Sequence, residues 1–424
     1  MENILLYGLG QWFENRVDIL REKFNIVGVS DKDSQKHTVA NRYGLKFYPI
    51  DEIPLVKYDY LFIALKDVDD AIAFLLSNIP LKPKQIIDGC MWWGEYKKQE
   101  VIIRHFGEDN PDVRFLLIRR TNEQVGLFSN FLVFMQHIRI ALVKGYIPVI
   151  DMKNYPNAYL EDTKLGKENS WEYYFKQPSS LYSLDEVYHS SFVELCRDEG
   201  VPDTQYAYDK VIKNLYIRHI YHDIYCNYMC VSDIILQETI HIRDKLFGKY
   251  QKNRKKICGV LLRGTDYLKF KPYGHPVQPN IEQAIKKIRQ LINDWGIDYL
   301  YFSSEDNEIL QKMKSEFGEM YLEYDCPRFT MRDDETYVDK LSLTPYHEFK
   351  RENDCYLKGK EYLISMLLMT YCDSFIAGNV SGTIGVLVMK EKFEHEYVFD
   401  LGNYGIDEDS YIYTPSGKPI FKKQ

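Results

Sequence analysis

The sequence predicts an α/β protein built on parallel sheets, and three observations carry that prediction. Short apolar runs such as Ile4-Leu5-Leu6-Tyr7, Tyr60-Leu61-Phe62-Ile63-Ala64 and Tyr299-Leu300-Tyr301-Phe302 alternate with helix-length stretches, an order that demands crossover connections between parallel strands. Several of these runs end at once in glycine, aspartate or hydroxyl residues, as strands do where they open into ligand-facing loops. At 424 residues the chain exceeds one ordinary core, so two or three domains are expected.

The first hundred residues read as a small unit over 1–97. Ile4-Leu5-Leu6-Tyr7 is a strand, followed by Gly8-Leu9-Gly10 and a helix running through Phe24. Ile26-Val27-Gly28-Val29 is a second strand closing at Ser30-Asp31; the third is Tyr60 to Ala64, with a helix from Asp67, and the fourth is Gln85 to Asp88. Gly8-x-Gly10 after a first strand, with Asp31 ending the second, is the start of a dinucleotide fingerprint. Phe13 stands where its third glycine belongs, so a Rossmann-like accessory domain without redox chemistry is expected. The tight turn alone accounts for Gly8 and Gly10.

Residues 98–118 read as a connector that runs into the strand Arg114 to Ile118. Val125-Gly126-Leu127-Phe128-Ser129-Asn130-Phe131 leads into a helix with Phe131, Phe134, Ile138 and Leu142 on one face, ended by Gly145. Ile147 to Asp151 is the next strand; 152–182 is tyrosine-rich and loop-like, and Ser183 to Lys249 is mainly helical. From Lys256 the pattern alternates again. Asn280 caps a helix carrying Ile281, Ile285, Ile288 and Ile292 that closes near Gly296. Strands are expected at Tyr299 to Phe302, Met320 to Tyr324 and Ser374 to Ala377, with an apolar helix from Glu361 to Tyr371.

Three strand-to-helix loops in this last region converge on one sheet edge. Cys258 to Leu262 is a buried strand that ends in Arg263-Gly264-Thr265-Asp266. A planar guanidinium at that edge suits a diphosphate. Gly378-Asn379-Val380-Ser381-Gly382-Thr383 opens a helix with hydroxyls and a glycine, the chemistry of an anion site at a helix start; a plain helix cap by Ser381 and an Arg263–Asp266 pair form the alternative. Ser304-Glu305-Asp306 closes the Tyr299 strand, where carboxylates either bond ribose hydroxyls or cap the next helix. Asp266 and His275 flank a loop rich in lysine, proline and glycine, and either suits a general base. Gly126 and Asn130 stand at a helix start in the preceding region, where glycine lets a ligand come close.

Composition narrows the function. Apolar residues at 45% and charged residues at 27% describe a globular protein. A net charge of −8 argues against nucleic acid, and Arg254-Lys255-Lys256 reads as a solvated loop. No signal peptide is visible and no apolar stretch has transmembrane length. The eight cysteines lack paired metal-ligand spacing, which fits free thiols in a reducing cytoplasm. The 35 tyrosines suit sugar faces, and biased composition explains them equally. Asp69-Asp70 and Asp333-Asp334 read as helix-start and loop charges rather than a metal-binding pair.

Leu262-Arg263-Gly264-Thr265-Asp266 resembles the arginine motif of the fucosyltransferase superfamily that includes the α1,2-, α1,6- and protein O-fucosyltransferases. Tyr371 to Ile376 with Ser381 and Thr383 is similar to their second motif, and Gly126 to Asn130 to the loop opening their acceptor half. Val260 to Pro279, with Gly274-His275-Pro276, looks most like bacterial polysaccharide-biosynthesis members, and the likeness spans 114–405. It implies a GT-B-like fold of two Rossmann-like lobes, here an acceptor-side lobe over 119–255 and a nucleotide-sugar lobe over 256–424. It further implies a GDP-fucose donor, inversion at the anomeric carbon, no required metal and a glycan or lipid-linked acceptor, which is compatible with peripheral membrane contact. Arg263 takes the role of the family's diphosphate arginine, Ser381, Gly382 and Thr383 that of its phosphate loop, and Glu305 or Asp306 that of its nucleoside carboxylate. Where several members carry a histidine two residues before the arginine this chain has Leu261, and Gly264 replaces a second arginine. Two rival functions stand beside this one, transfer from another nucleotide sugar and a non-catalytic nucleotide-sugar-binding scaffold; an NAD-dependent oxidoreductase rests on Gly8-x-Gly10 alone.

Overall fold

The computed structural model of the protein describes residues 1–65, 68–82, 85–90, 92–93, 101–121, 123, 125–196, 208–264, 267–268, 271, 275–328, 351–404, 411–413 and 419–421. The chain divides into two units, 1–100 with 405–424 and 101–404.

The four apolar runs of the first unit form β1 (Asn3–Tyr7), β2 (Asn25–Ser30), β3 (Tyr60–Ile63) and β4 (Ile86–Asp88), all parallel in the order β2-β1-β3-β4. The helix expected from Gly10 through Phe24 is instead two, α1 (Gln11–Glu14) and α2 (Val17–Lys23). The break falls at Asn15 and Arg16, where Arg16 has φ −135°; its guanidinium lies 4.6 Å from the ring of Trp12 and 4.7 Å from that of Trp93. The turn lets Phe13 and Val17 both enter the core. Phe13, in place of a fingerprint glycine, meets Tyr43 edge-on at 5.3 Å, so bulk fills the space that close helix–strand packing would need. Helices α3 (His37–Arg42) and α4 (Asp69–Asn78) complete the alternation.

The second unit carries two sheets. In the first, β5 (Ile102–Arg104), β6 (Phe115–Ile118), β7 (Ile147–Ile150) and β8 (Val193–Leu195) lie in the order β5-β8-β6-β7, antiparallel only between β5 and β8. The segment 98–118 thus supplies two strands of this sheet. The region from Ser183 to Lys249, expected mainly helical, contributes α6 (Leu184–Val187), α7 (Leu215–Tyr228) and α8 (Asp233–Lys252), and also the β8 strand. Helix α5 (Leu127–Lys144) starts after Gly126 and stops at Gly145, whose φ of +68° is the left-handed conformation glycine tolerates. Its apolar face is buried through Phe131, Phe134 and Ile138, whereas Leu142 is 37% exposed. The tyrosine-rich segment after β7 contributes to the core, Trp171 stacking on Phe175 at 4.4 Å and meeting Phe134 at 5.4 Å.

The second sheet is wholly parallel. Its strands β9 (Ile257–Leu261), β10 (Tyr299–Ser303), β11 (Tyr321–Glu323), β12 (Ser374–Ala377) and β13 (His395–Val398) lie in the order β11-β10-β9-β12-β13. Helix α9 (Ile281–Trp295) has the expected Asn280 cap, reinforced by Gln283 in a capping box, and ends at Gly296 with φ +65°. Helices α10 (Asn307–Phe317), α11 (Asp354–Thr370) and α12 (Ser381–Lys390) follow β10, β11 and β12, with α11 beginning well before the expected Glu361. Arg218 on α7 is 1% exposed. It donates to Glu396 Oε1 and Oε2 at 2.9 and 2.7 Å and to the carbonyls of Val211, Ile212 and Glu391, tying α7 to β13. An antiparallel pair, β14 (Tyr411–Tyr413) and β15 (Pro419–Phe421), groups with the first unit.

Candidate functional site

The order β10-β9-β12 places three loops side by side at the carboxyl edge of one sheet, because each strand is parallel to its neighbour. Arg263 follows the middle strand. Its side chain is 23% exposed and its Nε lies 3.8 Å from Glu305 Oε1, on the loop after β10. The Gly264 N–H donates to the same oxygen at 3.2 Å. Below the guanidinium lies Tyr267, with Arg263 Cζ 4.4 Å from its ring centroid, a cation–π geometry. The Tyr267 hydroxyl sits 2.8 Å from His275 Nδ1, and the two rings meet edge-on. Arg263, Tyr267 and His275 therefore form one connected row. Asp266 and Gly274 lie outside the described residues, as do Asp333 and Asp334.

The carboxylates after β10 divide their work. Asp306 accepts from the backbone N–H of Glu308 (2.9 Å) and Ile309 (3.4 Å) as the N-cap of α10, and Ser304 Oγ accepts from the Asp306 N–H at 3.1 Å. Glu305 faces Arg263. A Cβ on Gly264 would lie 2.3 Å from Asp306 Oδ2 and 2.6 Å from Ile309 Cδ1. Glycine is required there by packing, and an arginine side chain would find that space filled.

The third loop brings the start of α12. Val380, not Ser381, is its N-cap and makes no side-chain capping bond. Thr383 is fully buried and its Oγ1 donates to the Gly378 carbonyl at 2.5 Å. The loop is held from behind by Gln278, 3% exposed, whose Nε2 donates to the carbonyls of Asn379 and Pro276 at 3.0 Å each. Tyr362 on α11 joins this loop to the arginine. Its hydroxyl lies 2.5 Å from where a Cβ on Gly382 would be. Burial pushes that hydroxyl's pKa up, and the Arg263 guanidinium works against the shift.

Across from these loops, the first turn of α5 packs on the same elements. Phe128 meets Tyr362 edge-on at 5.3 Å and fills the space a Cβ on Gly385 of α12 would need. Gly126 precedes the helix at φ −64°, a conformation open to any residue. Asn130 is 3% exposed, and its buried Oδ1 has no hydrogen-bond partner among the described residues. The Tyr159 hydroxyl is lifted by burial and bonds the backbone of Leu127, with Arg263 and Tyr362 within electrostatic reach.

Sequence reasoning singled out Arg263, Glu305, His275 and the Ser381–Thr383 turn, which this unit gathers at one edge. It missed Tyr267, Tyr362 and Gln278. Tyr267 carried a signal, four residues after Arg263; Tyr362 and Gln278 carried none, since an apolar helix and a proline-rich loop hide which side chain turns inward. Among the described residues no three His, Cys, Asp or Glu side chains cluster as a metal centre requires.

In the first unit, Gly8 has φ +102° and a Cβ there would meet Leu65 at 2.6 Å, so the turn requires glycine. Gly10 has open space around it. Asp31 is spent locally, accepting from Leu9 N–H (2.6 Å), Asp33 N–H (2.9 Å) and Lys36 Nζ (3.2 Å).

This architecture is that of a two-unit α/β protein whose larger unit carries an arginine-centred site at a parallel sheet edge. The C2185-like N-terminal family model matches residues 1–87. No curated relative matches the chain. Solved structures similar to it include the α-1,6-fucosyltransferase NodZ soaked with GDP-fucose, at 14% identity over 69% of this chain and 97% of that one, with a TM-score of 0.42. POFUT1 in complex with GDP matches at 9% identity over 69% and 99%, TM-score 0.38. A variant of Arabidopsis thaliana FUT1 in complex with GDP matches at 7% identity over 77% and 76%, TM-score 0.39. No helix among the described residues is long and apolar enough to cross a membrane.

Proposed function

We propose that this chain is an inverting glycosyltransferase that moves fucose from GDP-fucose to a glycan or glycolipid precursor in the cytoplasm, during surface polysaccharide synthesis and without a metal requirement. The observation that carries this reading is the meeting of Arg263, Glu305 and the α12 turn on adjacent parallel strands. The donor identity comes from the motif likeness of residues 258–266 and 371–383.

As the anomeric C–O bond breaks, charge builds on the departing diphosphate. Donors fixed in advance stabilise that charge more than they stabilise the bound donor, which is what accelerates the step. Arg263 supplies a planar, permanently charged fork, oriented by Tyr267 beneath it and Glu305 beside it. The first turn of α12 supplies the Ser381 hydroxyl and the backbone N–H groups of Gly382 and Thr383, at the positive end of the helix. The acceptor hydroxyl attacks the face opposite the diphosphate, and its proton passes to a general base, the role assigned to His275 or Asp266. Asn130 and Gly126 face the donor from the α5 side, and Asn379 with Ser304 and Asp306 shape the loops around it.

A second reading keeps the reaction and changes the base, because Leu261, 4% exposed, stands where a base-reading histidine would be. Thermal melts with GDP, UDP and dTDP separate the two, since only a ligand bound to the folded state raises Tm. GDP alone should raise it. A rise with UDP or dTDP and none with GDP replaces fucose as the donor sugar, and no rise with any of the three removes the transferase reading.

A further inference from the structure

A shallow cleft of about 570 Å³ opens beside the carboxyl end of β7, lined by Lys153, Asn154, Tyr155, Asp185, Tyr188 and His189 among others. Its wall is unusually well fixed. Asp151, fully buried, accepts from the N–H groups of Lys153 (2.9 Å) and Asn154 (3.0 Å), from Asn154 Nδ2 (3.0 Å) and from the Tyr188 hydroxyl (2.6 Å). Tyr155 lies with its ring 5.0 Å from the Arg119 guanidinium, and Tyr188 packs on Phe106 at 4.8 Å. These bonds hold the Tyr188 ring and the backbone that leads into Tyr155, whose side chain bonds that of Tyr188.

The lining is amphipathic in a particular way. Two phenol rings, Tyr155 with Arg119 over one face and Tyr188 tilted against Phe106, stand beside an amide, an imidazole, a carboxylate and an ammonium, so donors and acceptors are both present. The Lys153 ammonium is paired to Asp185 at 2.8 Å, which balances its charge. Aromatic faces with mixed, charge-balanced polar groups suit a pyranose, whose C–H face packs on a ring while its hydroxyls both donate and accept. The same segment also reaches the donor site. Tyr159, four residues past Tyr155 and so at most about 14 Å along the chain, bonds the backbone at the start of α5 within reach of the Arg263 charge.

We propose that this cleft binds a neutral saccharide and holds the acceptor glycan of the transfer reaction, an inference that rests on the glycosyltransferase reading for its role. Tyr155 and Tyr188 supply the stacking surface, and Asn154, Asp185 and His189 the hydroxyl partners.

Saturation-transfer NMR with methyl β-galactoside, methyl β-N-acetylglucosaminide and lactose, beside the anionic methyl β-glucuronide, tests it on the whole chain. The wild type should transfer saturation to a neutral glycoside, and Tyr155→Ala should weaken that binding about tenfold, as expected for loss of an aromatic contact. Asp185→Ala, whose side chain is 75% exposed and outside the core, should weaken it as well and guards against misfolding of the first variant. Absence of transfer to any neutral glycoside, stronger transfer to the glucuronide, or two variants that bind as the wild type does would each overturn the proposal. The GDP-induced rise in Tm, recorded on the same preparations, keeps the two readings apart. A GDP response with unaltered saccharide binding in both variants rejects the cleft alone, whereas saccharide binding lost in both variants with no GDP response in the wild type rejects the donor site alone.

Discussion

Replacing Arg263 by lysine keeps the charge at the sheet edge and removes the plane. Among the described residues, that plane lies against the Tyr267 ring, 4.4 Å from Cζ, with the Glu305 carboxylate 3.8 Å from Nε. A lysine ammonium has no flat face to lay on the ring and donates from a single point. Loss of one of two charge-assisted hydrogen bonds to a diphosphate costs about 1.5–3 kcal/mol, and loss of the ring contact about 0.5–1 kcal/mol. Together that is roughly 2–4 kcal/mol of transition-state stabilisation, or a fall of about 30- to 900-fold in donor turnover. This matches the size of effect seen when one preorganised donor is removed from an oxyanion site, about 10²–10³. The assay is GDP release from GDP-fucose, with the GDP-induced change in Tm measured beside it. Because Arg263 is partly exposed and supports no core cluster, the ligand-free Tm should move by no more than about 2 °C. A lysine variant that hydrolyses donor within about threefold of the wild type, where a fall of 30-fold or more is worked out, would refute the diphosphate role of Arg263.

Three further outcomes are expected. Gly264→Ala should destabilise the protein by about 1–3 kcal/mol and blunt the GDP response, because the new Cβ would press on Asp306 and Ile309; a denaturant midpoint equal to the wild type's contradicts this. Arg218→Ala should cost about 2–4 kcal/mol in urea unfolding, since it leaves a cavity and takes the donor from three carbonyls that one buried guanidinium now serves, while the exposed Glu396 turns to water. The His219 imidazole is raised above its usual 6.5 by its hydrogen bond to Glu391, 2.7 Å away, with Asp223 and Glu391 charges adding to it. A raised folded-state pKa gives stability that is full below the unfolded value and fades as pH rises through the folded one. The wild type and His219→Gln should therefore differ in denaturation midpoint at acidic pH and converge at alkaline pH; a gap that stays constant contradicts the assignment.

The sequence by itself made the parallel strands β1 to β4, β6, β7 and β9 to β12 legible, and left β5, β8, β13, β14 and β15 unread; the reason is local. A buried parallel strand must be apolar on both faces, so runs such as Ile4 to Tyr7, Cys258 to Leu261 and Ser374 to Ala377 announce themselves. Helix ends were legible where single residues carry the signal, as with Asn280, Gly145 and Gly296. Strand ends were legible too, and with them the positions of Arg263, of the Glu305–Asp306 pair and of the Ser381 turn at a sheet edge, because the loop starts directly after the apolar run.

Tertiary structure alone decided which of these residues meet. The Glu305–Asp306 choice turned on α10, whose first turn takes Asp306 as its cap and leaves Glu305 to Arg263. Tyr362 reaches Gly382 only because α11 lies across α12. Trp93, some eighty residues from Trp12, meets the same Arg16 guanidinium at the split of the first helix. β8, Val193-Glu194-Leu195, carries a glutamate at its centre in place of a continuous apolar run, and only the sheet supplies its partners. Local patterns fix elements through their own hydrogen bonds and burial, whereas contacts between distant elements depend on three-dimensional packing that no window of sequence contains.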